Sequence, residues 1–443
     1  MNIETFDITR PLHIQYEITD NCNLKCIHCY NLSSDLKLRK PKKHIYSKEI
    51  AQKIIDNKIF EVTITGGEPL VNRNEFIEIV QLLRKNGVKV HLNTNLILID
   101  DDLLDFLEEH SVNILTSCPS VDEELYKELM GVDCFSIFLE KLKLTLKRKL
   151  RVCVNIVVSK KNMHNFDDTI IYLHNIGCDA LAVSPMTLNM TYPRFDLVVS
   201  INDIKNVILP KVLKIKAELD IKLDMEECLP KCIIPKDFFN ENFPFLRRSC
   251  SAGYSIALAC DGSIKPCTHI SSINCGNILT DDLCDCYHRL DLWRKRAFLP
   301  ERCKECSLVK SCQGGCRAQA KIANGSWNSE DIWMEEPIKN FNYDFYTNSE
   351  QEKLTADSYL KIIKGCPVRK EEEGKYTFYD RKRRIILTVN NCFYLFINSL
   401  FNINSDIIKL KDLANIYKTD CTSVNFLSTI DLLIKKNIIK IVR

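Results

Sequence analysis

The sequence predicts an α/β protein: a parallel sheet with helices outside it, then a cysteine-rich segment with little core of its own, then a small mixed domain. Three observations predict it. From residue 12 to about 188, short β-like runs alternate with amphipathic stretches of helical period. Between Cys250 and Cys316 lie ten cysteines with little apolar repetition, so something other than hydrophobic packing must hold that segment. From Lys375 a compact pattern of strands and helices returns.

The candidate strands of the first part are LHIQYEIT (12–19), FEVTIT (60–65), VKVHLNT (88–94), VNILTS (112–117), RVCVNIVV (151–158) and ALAVSPM (180–186). Between them, Ser47 is placed to cap a helix that buries Ile50, Ile54 and Ile55. A second helix sets Phe76, Val80 and Leu83 on one face and stops at Gly87, and Ser120 with Glu123 has the spacing of a capping box. Such a series makes either a doubly wound sheet or an incomplete (β/α) barrel, and in both the ligand site lies at the carboxyl ends of the strands. The first strand alternates His13, Gln15, Glu17 and Thr19 with Leu12, Ile14, Tyr16 and Ile18, which predicts a polar, ligand-lined face. Residues 201–220 read as one more helix, kinked at Pro210. Residues 317–365 show no pattern that places them. The carboxyl-terminal domain has two strands, YTFY and IILTV, around the basic turn RKRR, then helices near 391–401, 409–417 and 423–436 and a final IIKIVR.

A chain of 443 residues implies two or three domains. Its net charge of +3 is nearly balanced, and no apolar run reaches the ~20 residues needed to cross a bilayer, so bulk properties point to neither nucleic acid nor membrane. The amino-terminal stretch carries acids early and no apolar segment behind basic residues, which sets the expectation of a cytoplasmic protein. In a reducing compartment, 22 cysteines argue for metal or redox chemistry rather than disulfides. Cys118, Cys153, Cys178, Cys392 and Cys421 stand singly in apolar segments and read as small core residues.

The stretch TDNCNLKCIHCYN brings Cys22, Cys26 and Cys29 together after the first strand without a nearby fourth cysteine. Thiolates select iron–sulfur clusters or zinc. Three of them on a cubane cluster leave one iron open to a small molecule; a zinc knuckle completed by His28 or by a distant ligand is the alternative. Gly66-Gly67-Glu68-Pro69 follows the second strand, Asn93 to Asn95 the third, and Ser117 ends the fourth, so all map to one rim. Glycines there allow close backbone approach to a ligand, and Glu68 is suited to an ammonium group.

These motifs resemble those of the radical S-adenosylmethionine (SAM) superfamily over roughly residues 10–190. The resemblance implies a partial (β/α)6 TIM-like barrel with a [4Fe–4S] cluster on Cys22, Cys26 and Cys29. It also implies S-adenosylmethionine held by Gly66, Gly67, Glu68 and Pro69, with Ser117 and Asn155 as further contacts. The acidic residue usual after the serine is absent, since the chain reads Ser117-Cys118-Pro119. In such enzymes an electron from the cluster, delivered by a donor such as a flavodoxin or ferredoxin, opens the cofactor to a 5′-deoxyadenosyl radical.

The spacing Cys303-x2-Cys306-x5-Cys312-x3-Cys316, with Cys250 and Cys267 before it and Cys366 after it, would by itself suit a zinc ribbon. Attached to the core above, it resembles a SPASM domain with two auxiliary [4Fe–4S] clusters. That implies Cys303, Cys306, Cys312 and Cys366 on one cluster and Cys250, Cys267 and Cys316 on the other, with Cys260 as a candidate fourth ligand or the place left open for substrate. Cys275, Cys284 and Cys286 are surplus. The last seventy residues have a winged-helix-like order. They resemble a PqqD-like peptide-recognition domain more than a DNA reader, because the final helix, SVNFLSTIDLLI, lacks basic residues. The expected domains are 1–200 (radical SAM core), 201–249 (bridge), 250–370 (SPASM with insertion) and 375–443 (peptide binding). The implied function is modification of a ribosomally made precursor peptide by a thioether or carbon–carbon crosslink. The alternatives are sulfatase-maturase-like oxidation, disfavoured by Thr268 and His269 after Cys267, and an iron–sulfur sensor with a DNA-binding tail.

Overall fold

A computed structural model describes residues 8–31, 47–235, 250–252, 255–339, 354–380 and 385–442. The chain forms two compact units, one of Pro11–Thr347 and one of Met1–Arg10 with Asn348–Arg443.

The larger unit is built on one sheet. Its first six strands are β1 (His13–Thr19), β2 (Glu61–Gly66), β3 (Lys89–Asn93), β4 (Asn113–Ser117), β5 (Val152–Val158) and β6 (Ala180–Pro185). All pair in parallel and in chain order, as the six expected strands require. The sheet is wider than expected at both edges. β7 (Lys222–Met225) pairs with β6, β8 (Ser255–Leu258) pairs in parallel with β1, and β9 (Ile264–Lys265) returns antiparallel on β8. The cysteine-rich segment therefore begins as an edge of the core sheet. Neither β7 nor β8 exceeds four residues, too short for a periodicity to show.

The helices α1 (Ser47–Asp56), α2 (Arg73–Lys85), α3 (Asp101–Glu109), α4 (Glu123–Met130), α5 (Phe135–Leu146) and α6 (Phe166–Asn175) connect successive strands. α1 buries Ile50 and Ile54 as expected, while Ile55 is only partly buried, and α2 buries Phe76, Val80 and Leu83, as their spacing predicts. The cap of α4 differs from expectation. Asp122 is the N-cap, accepting from the Leu125 N–H at 2.8 Å, while the Ser120 hydroxyl instead accepts from the Asp122 N–H at 3.1 Å. A carboxylate two residues nearer the helix outcompetes the serine. Around Pro210, the helix takes a π-helical turn over Ile204–Ile208 before continuing as Leu209–Glu218.

In the smaller unit, β12 (Tyr376–Asp380) and β13 (Ile385–Val389) form the expected hairpin, joined by β11 (Val368–Lys370). The basic turn 381–384 lies outside the described residues. Helices Asn391–Phe401, Leu410–Ile416 and Val424–Lys435 follow, as predicted. A second sheet, not anticipated, pairs β10 (Tyr359–Ile362) with both β14 (Ile407–Lys409) and β15 (Ile439–Val442). Leu360, Phe378, Ile397, Leu413, Ile430 and Ile439 belong to its buried core. An ion pair lies at zero to one per cent exposure there: Arg369 Nε meets Glu371 Oε1 at 2.8 Å. Arg369 also donates to the Arg10 carbonyl, and Glu371 Oε2 accepts from the Thr9 N–H and hydroxyl, so the amino-terminal residues are tied into this unit. Among the described residues no helix is long and apolar enough to cross a membrane.

Candidate functional site

The loop after β1 is held in place by backbone contacts on two sides. Lys25 N–H and Ile27 N–H donate to the Met130 and Leu129 carbonyls at the end of α4, at 3.2 and 3.0 Å. Gly131 completes that seat: a Cβ there would stand 2.2 Å from the Lys25 carbonyl oxygen. On the other side, Gly67 N–H donates to the Thr19 carbonyl and Glu68 N–H to the Asn21 carbonyl, both at 2.7 Å. A Cβ on Gly66, whose φ is +124°, would fall 2.3 Å from the Thr19 oxygen; one on Gly67 would fall 2.0 Å from the Asn21 oxygen. Both glycines are thus required to let the end of β2 close on the cysteine loop.

That closure gathers Cys22, Cys26 and Cys29. The Cys22 sulfur accepts from the Leu24 N–H at 3.5 Å, and Cys29 N–H donates to the Cys26 carbonyl at 3.2 Å. Burial, and then the charges of Cys29 and Cys22, push the Cys26 thiol well up. Thiols that oppose one another's ionisation in this way suit a cation or metal cluster, which would hold them as thiolates. His28 is pushed down to about 4 by desolvation and is neutral at pH 7.

Glu68 is only 1% exposed. Its Oε1 accepts from the Leu70 N–H at 3.1 Å and the Thr94 hydroxyl at 2.7 Å, and its Oε2 from the Asn95 N–H at 2.7 Å. It therefore ties the end of β2 to the end of β3, a structural duty that its motif alone does not announce. Burial pushes its carboxyl up to about 7 against those three donors. Ser117 and Asn155 pair directly across β4 and β5, and Asn155 Oδ1 accepts from the Ser184 hydroxyl at 2.9 Å.

Two of the polar positions of β1 bond to other strands of the sheet. His13 meets Ser255 Oγ and Thr63 Oγ1, each at 2.8 Å, and buried Glu17 pairs with Lys265 Nζ at 2.5 Å. Tyr30 adds a link that the sequence did not single out. Its hydroxyl lies 2.9 Å from Thr65 Oγ1, and its ring stacks on His269 with centroids 5.5 Å apart. His269, held down in pKa by burial, meets Thr187 at 3.3 Å. The cysteine loop is thus connected to the segment that carries Cys267.

The downstream cysteines form two groups. Cys250, Cys267 and Cys316 act on one another: burial and then Cys250 push Cys267 up to about 12, and burial, Asp331, Cys250 and Cys267 push Cys316 well up. Asp331 Oδ2 accepts from the Cys316 N–H at 2.7 Å. Cys260 is buried beyond the end of β8, where its charge bears on Tyr16. Cys303, Cys306 and Cys312 line one pocket together with Cys232, a residue that sequence reasoning passed over. The pair Cys228-x3-Cys232 was the available signal. Cys366 belongs to the smaller unit and to its buried apolar cluster. Of the surplus or single cysteines, Cys118, Cys178, Cys275, Cys284 and Cys286 are buried, Cys153 and Cys421 partly so, and Cys392 is exposed.

Residues 16–173 match the family model described as the Radical SAM superfamily. The chain is 27% identical over 267 residues to a probable GTP 3′,8-cyclase of Sulfurisphaera tokodaii, covering 58% of this chain and 80% of that one. It is 24% identical over 346 residues to the PqqA peptide cyclase of Bradyrhizobium diazoefficiens, covering 74% and 86%. The crystal structure of Streptococcus suis SuiB bound to its precursor peptide SuiA shares the fold, with a TM-score of 0.61 at 21% identity over 74% of this chain and 76% of that one.

Proposed function

We propose that the protein, whose residues 16–173 match the Radical SAM superfamily model, is a ribosomal-peptide maturase that crosslinks a precursor peptide. The observation that carries the cofactor chemistry is the closure of Gly66 and Gly67 onto the loop of Cys22, Cys26 and Cys29. These three thiolates would hold a [4Fe–4S] cluster, while Gly66 to Pro69, Ser117 and Asn155 would line the S-adenosylmethionine site. When bound, that pair of cofactors supplies a 5′-deoxyadenosyl radical at the cost of one electron from a flavodoxin- or ferredoxin-like donor.

The substrate class is supported by the likeness to a PqqA peptide cyclase and, for the fold, by SuiB. The likeness to a probable GTP cyclase supports the shared cleavage chemistry and not the substrate. Closing a thioether or carbon–carbon bond removes one hydrogen atom to 5′-deoxyadenosine and then one proton and one electron from the peptide. The two downstream thiol groups, as auxiliary clusters, would take that electron. The unit ending the chain would hold the peptide's leader by strand addition, for which its short strands offer edges.

The test is anaerobic incubation with a strong reductant, S-adenosylmethionine and, in turn, every short peptide that the neighbouring genes encode. The expected product is lighter by two hydrogen atoms and carries a new bond resistant to reduction, with 5′-deoxyadenosine formed alongside. Cofactor cleavage stimulated only by a nucleotide, with every neighbouring peptide unchanged, would overturn the assignment.

A further inference from the structure

Four thiols converge where the spacing of the sequence supplies three. Cys303 ends the turn Glu301–Cys303, Cys312 ends the short helix Val309–Cys312, and Cys306 lies between them. Cys232 reaches the same pocket from the turn Lys231–Ile233, seventy-odd positions upstream. The two chain segments are locked at this point. Lys231 N–H donates to the Cys312 sulfur at 3.3 Å, and Glu335 N–H donates to the Cys232 sulfur at 3.2 Å. Such N–H···S bonds stabilise thiolates and tune the metal they hold. Met334 closes the pocket with its sulfur 3.6 Å from that of Cys303.

We propose that Cys232 supplies the fourth thiolate of the metal centre formed by Cys303, Cys306 and Cys312, in place of Cys366. The inference rests on the iron–sulfur reading above and extends it. A four-iron cluster with four cysteine ligands has no iron open to substrate, so this centre is an electron relay and not a binding site. Any open iron on the auxiliary side belongs to the group of Cys250, Cys267 and Cys316. Cys366 is instead a 7%-exposed member of the apolar cluster with Leu360, Phe378 and Ile385, its thiol 3.6 Å from the Pro367 carbonyl.

The test uses the full chain carrying Cys22, Cys26 and Cys29→Ala, so that only the downstream centres bind metal. Iron, sulfide and zinc are counted and the reduced protein is examined by electron paramagnetic resonance. Cys232→Ser should lose about four iron per chain, or retain them with shifted g-values from serine ligation. Cys366→Ser should match the parent in both. Cys232→His, which keeps a ligand, should restore iron with a spectrum of its own, which a merely structural cysteine would not do. Iron retained by Cys250, Cys267 and Cys316 and an unchanged circular dichroism spectrum show that the variants are folded. An unperturbed spectrum and full iron in Cys232→Ser, or equal loss in Cys366→Ser, would overturn the proposal. Loss of zinc instead of iron in Cys232→Ser would keep Cys232 in the ligand set and overturn the iron–sulfur reading.

Discussion

Replacing Gly67 with alanine tests how the rim is assembled. Its added Cβ would sit 2.0 Å from the Asn21 carbonyl oxygen, 2.5 Å from the Asn21 carbonyl carbon and 2.8 Å from the Asp20 oxygen. All three are backbone atoms, so no rotamer change relieves the contact. The loop must retreat by more than an ångström, and the 2.7 Å bonds from Gly67 N–H to Thr19 and from Glu68 N–H to Asn21 are lost with it. Two such bonds are worth about 2 kcal/mol, and overpacking costs about 1–3 kcal/mol more, so a loss of roughly 3–5 kcal/mol is expected. Gly87 is the control. Unlike Gly67 it has a positive φ, +78°, but a Cβ there meets nothing within 4 Å, so Gly87→Ala carries backbone strain without a clash and should cost only about 1–2 kcal/mol. Anaerobic urea unfolding reads the two losses, and iron analysis reads the loop directly. Wild-type stability and iron content in Gly67→Ala would refute the reasoning.

Three further outcomes follow from the same geometry. Arg369→Leu leaves the Glu371 carboxylate buried without its partner and should destabilise the smaller unit by about 3–5 kcal/mol, whereas Arg369→Met with Glu371→Leu should recover most of this; a single-variant loss below about 1 kcal/mol would show the pair to be dispensable. Glu68, raised from 4.5 to about 7, favours the fold fully below the unfolded value; that contribution is lost as pH climbs through about 7, to the extent of about 3 kcal/mol. Glu68→Gln should flatten the stability profile across that window, and an unchanged slope would exclude Glu68 as its source. A leader peptide held by strand addition should bind with little dependence on salt, measured by titration of the full chain at low and high salt; tight binding of duplex DNA that falls steeply with salt, without peptide binding, would favour the DNA-reading alternative.

What could be read in the sequence was whatever is encoded locally. The six core strands, the burial of Phe76, Val80 and Leu83, and the placing of Cys22 and Gly66 on one rim follow from periodicity and from loops that directly succeed strands. The grouping of Cys250 with Cys267 and Cys316 came from a resemblance and not from their spacing. What escaped is held by contacts between distant segments. β7 and β8 are too short to show a period, and they exist because β6 and β1 offer edges. Cys232 lies in a 3₁₀ turn between Pro230 and Pro235, a stretch whose composition suggests only a loop, and it shares a pocket with Cys312 through tertiary structure alone. That both oxygens of Glu68 serve the backbone and hydroxyl donors of its own rim was likewise not legible in its motif.

The central claim is that the loop of Cys22, Cys26 and Cys29 opens S-adenosylmethionine. The direct measurement is release of 5′-deoxyadenosine under strong reductant by the wild type and by the Cys22, Cys26 and Cys29→Ala variant, each with its iron counted. The wild type should release it, slowly even without peptide; the variant should release none while retaining the iron of its downstream centres, about two-thirds of the total. Equal release by both proteins would contradict the account.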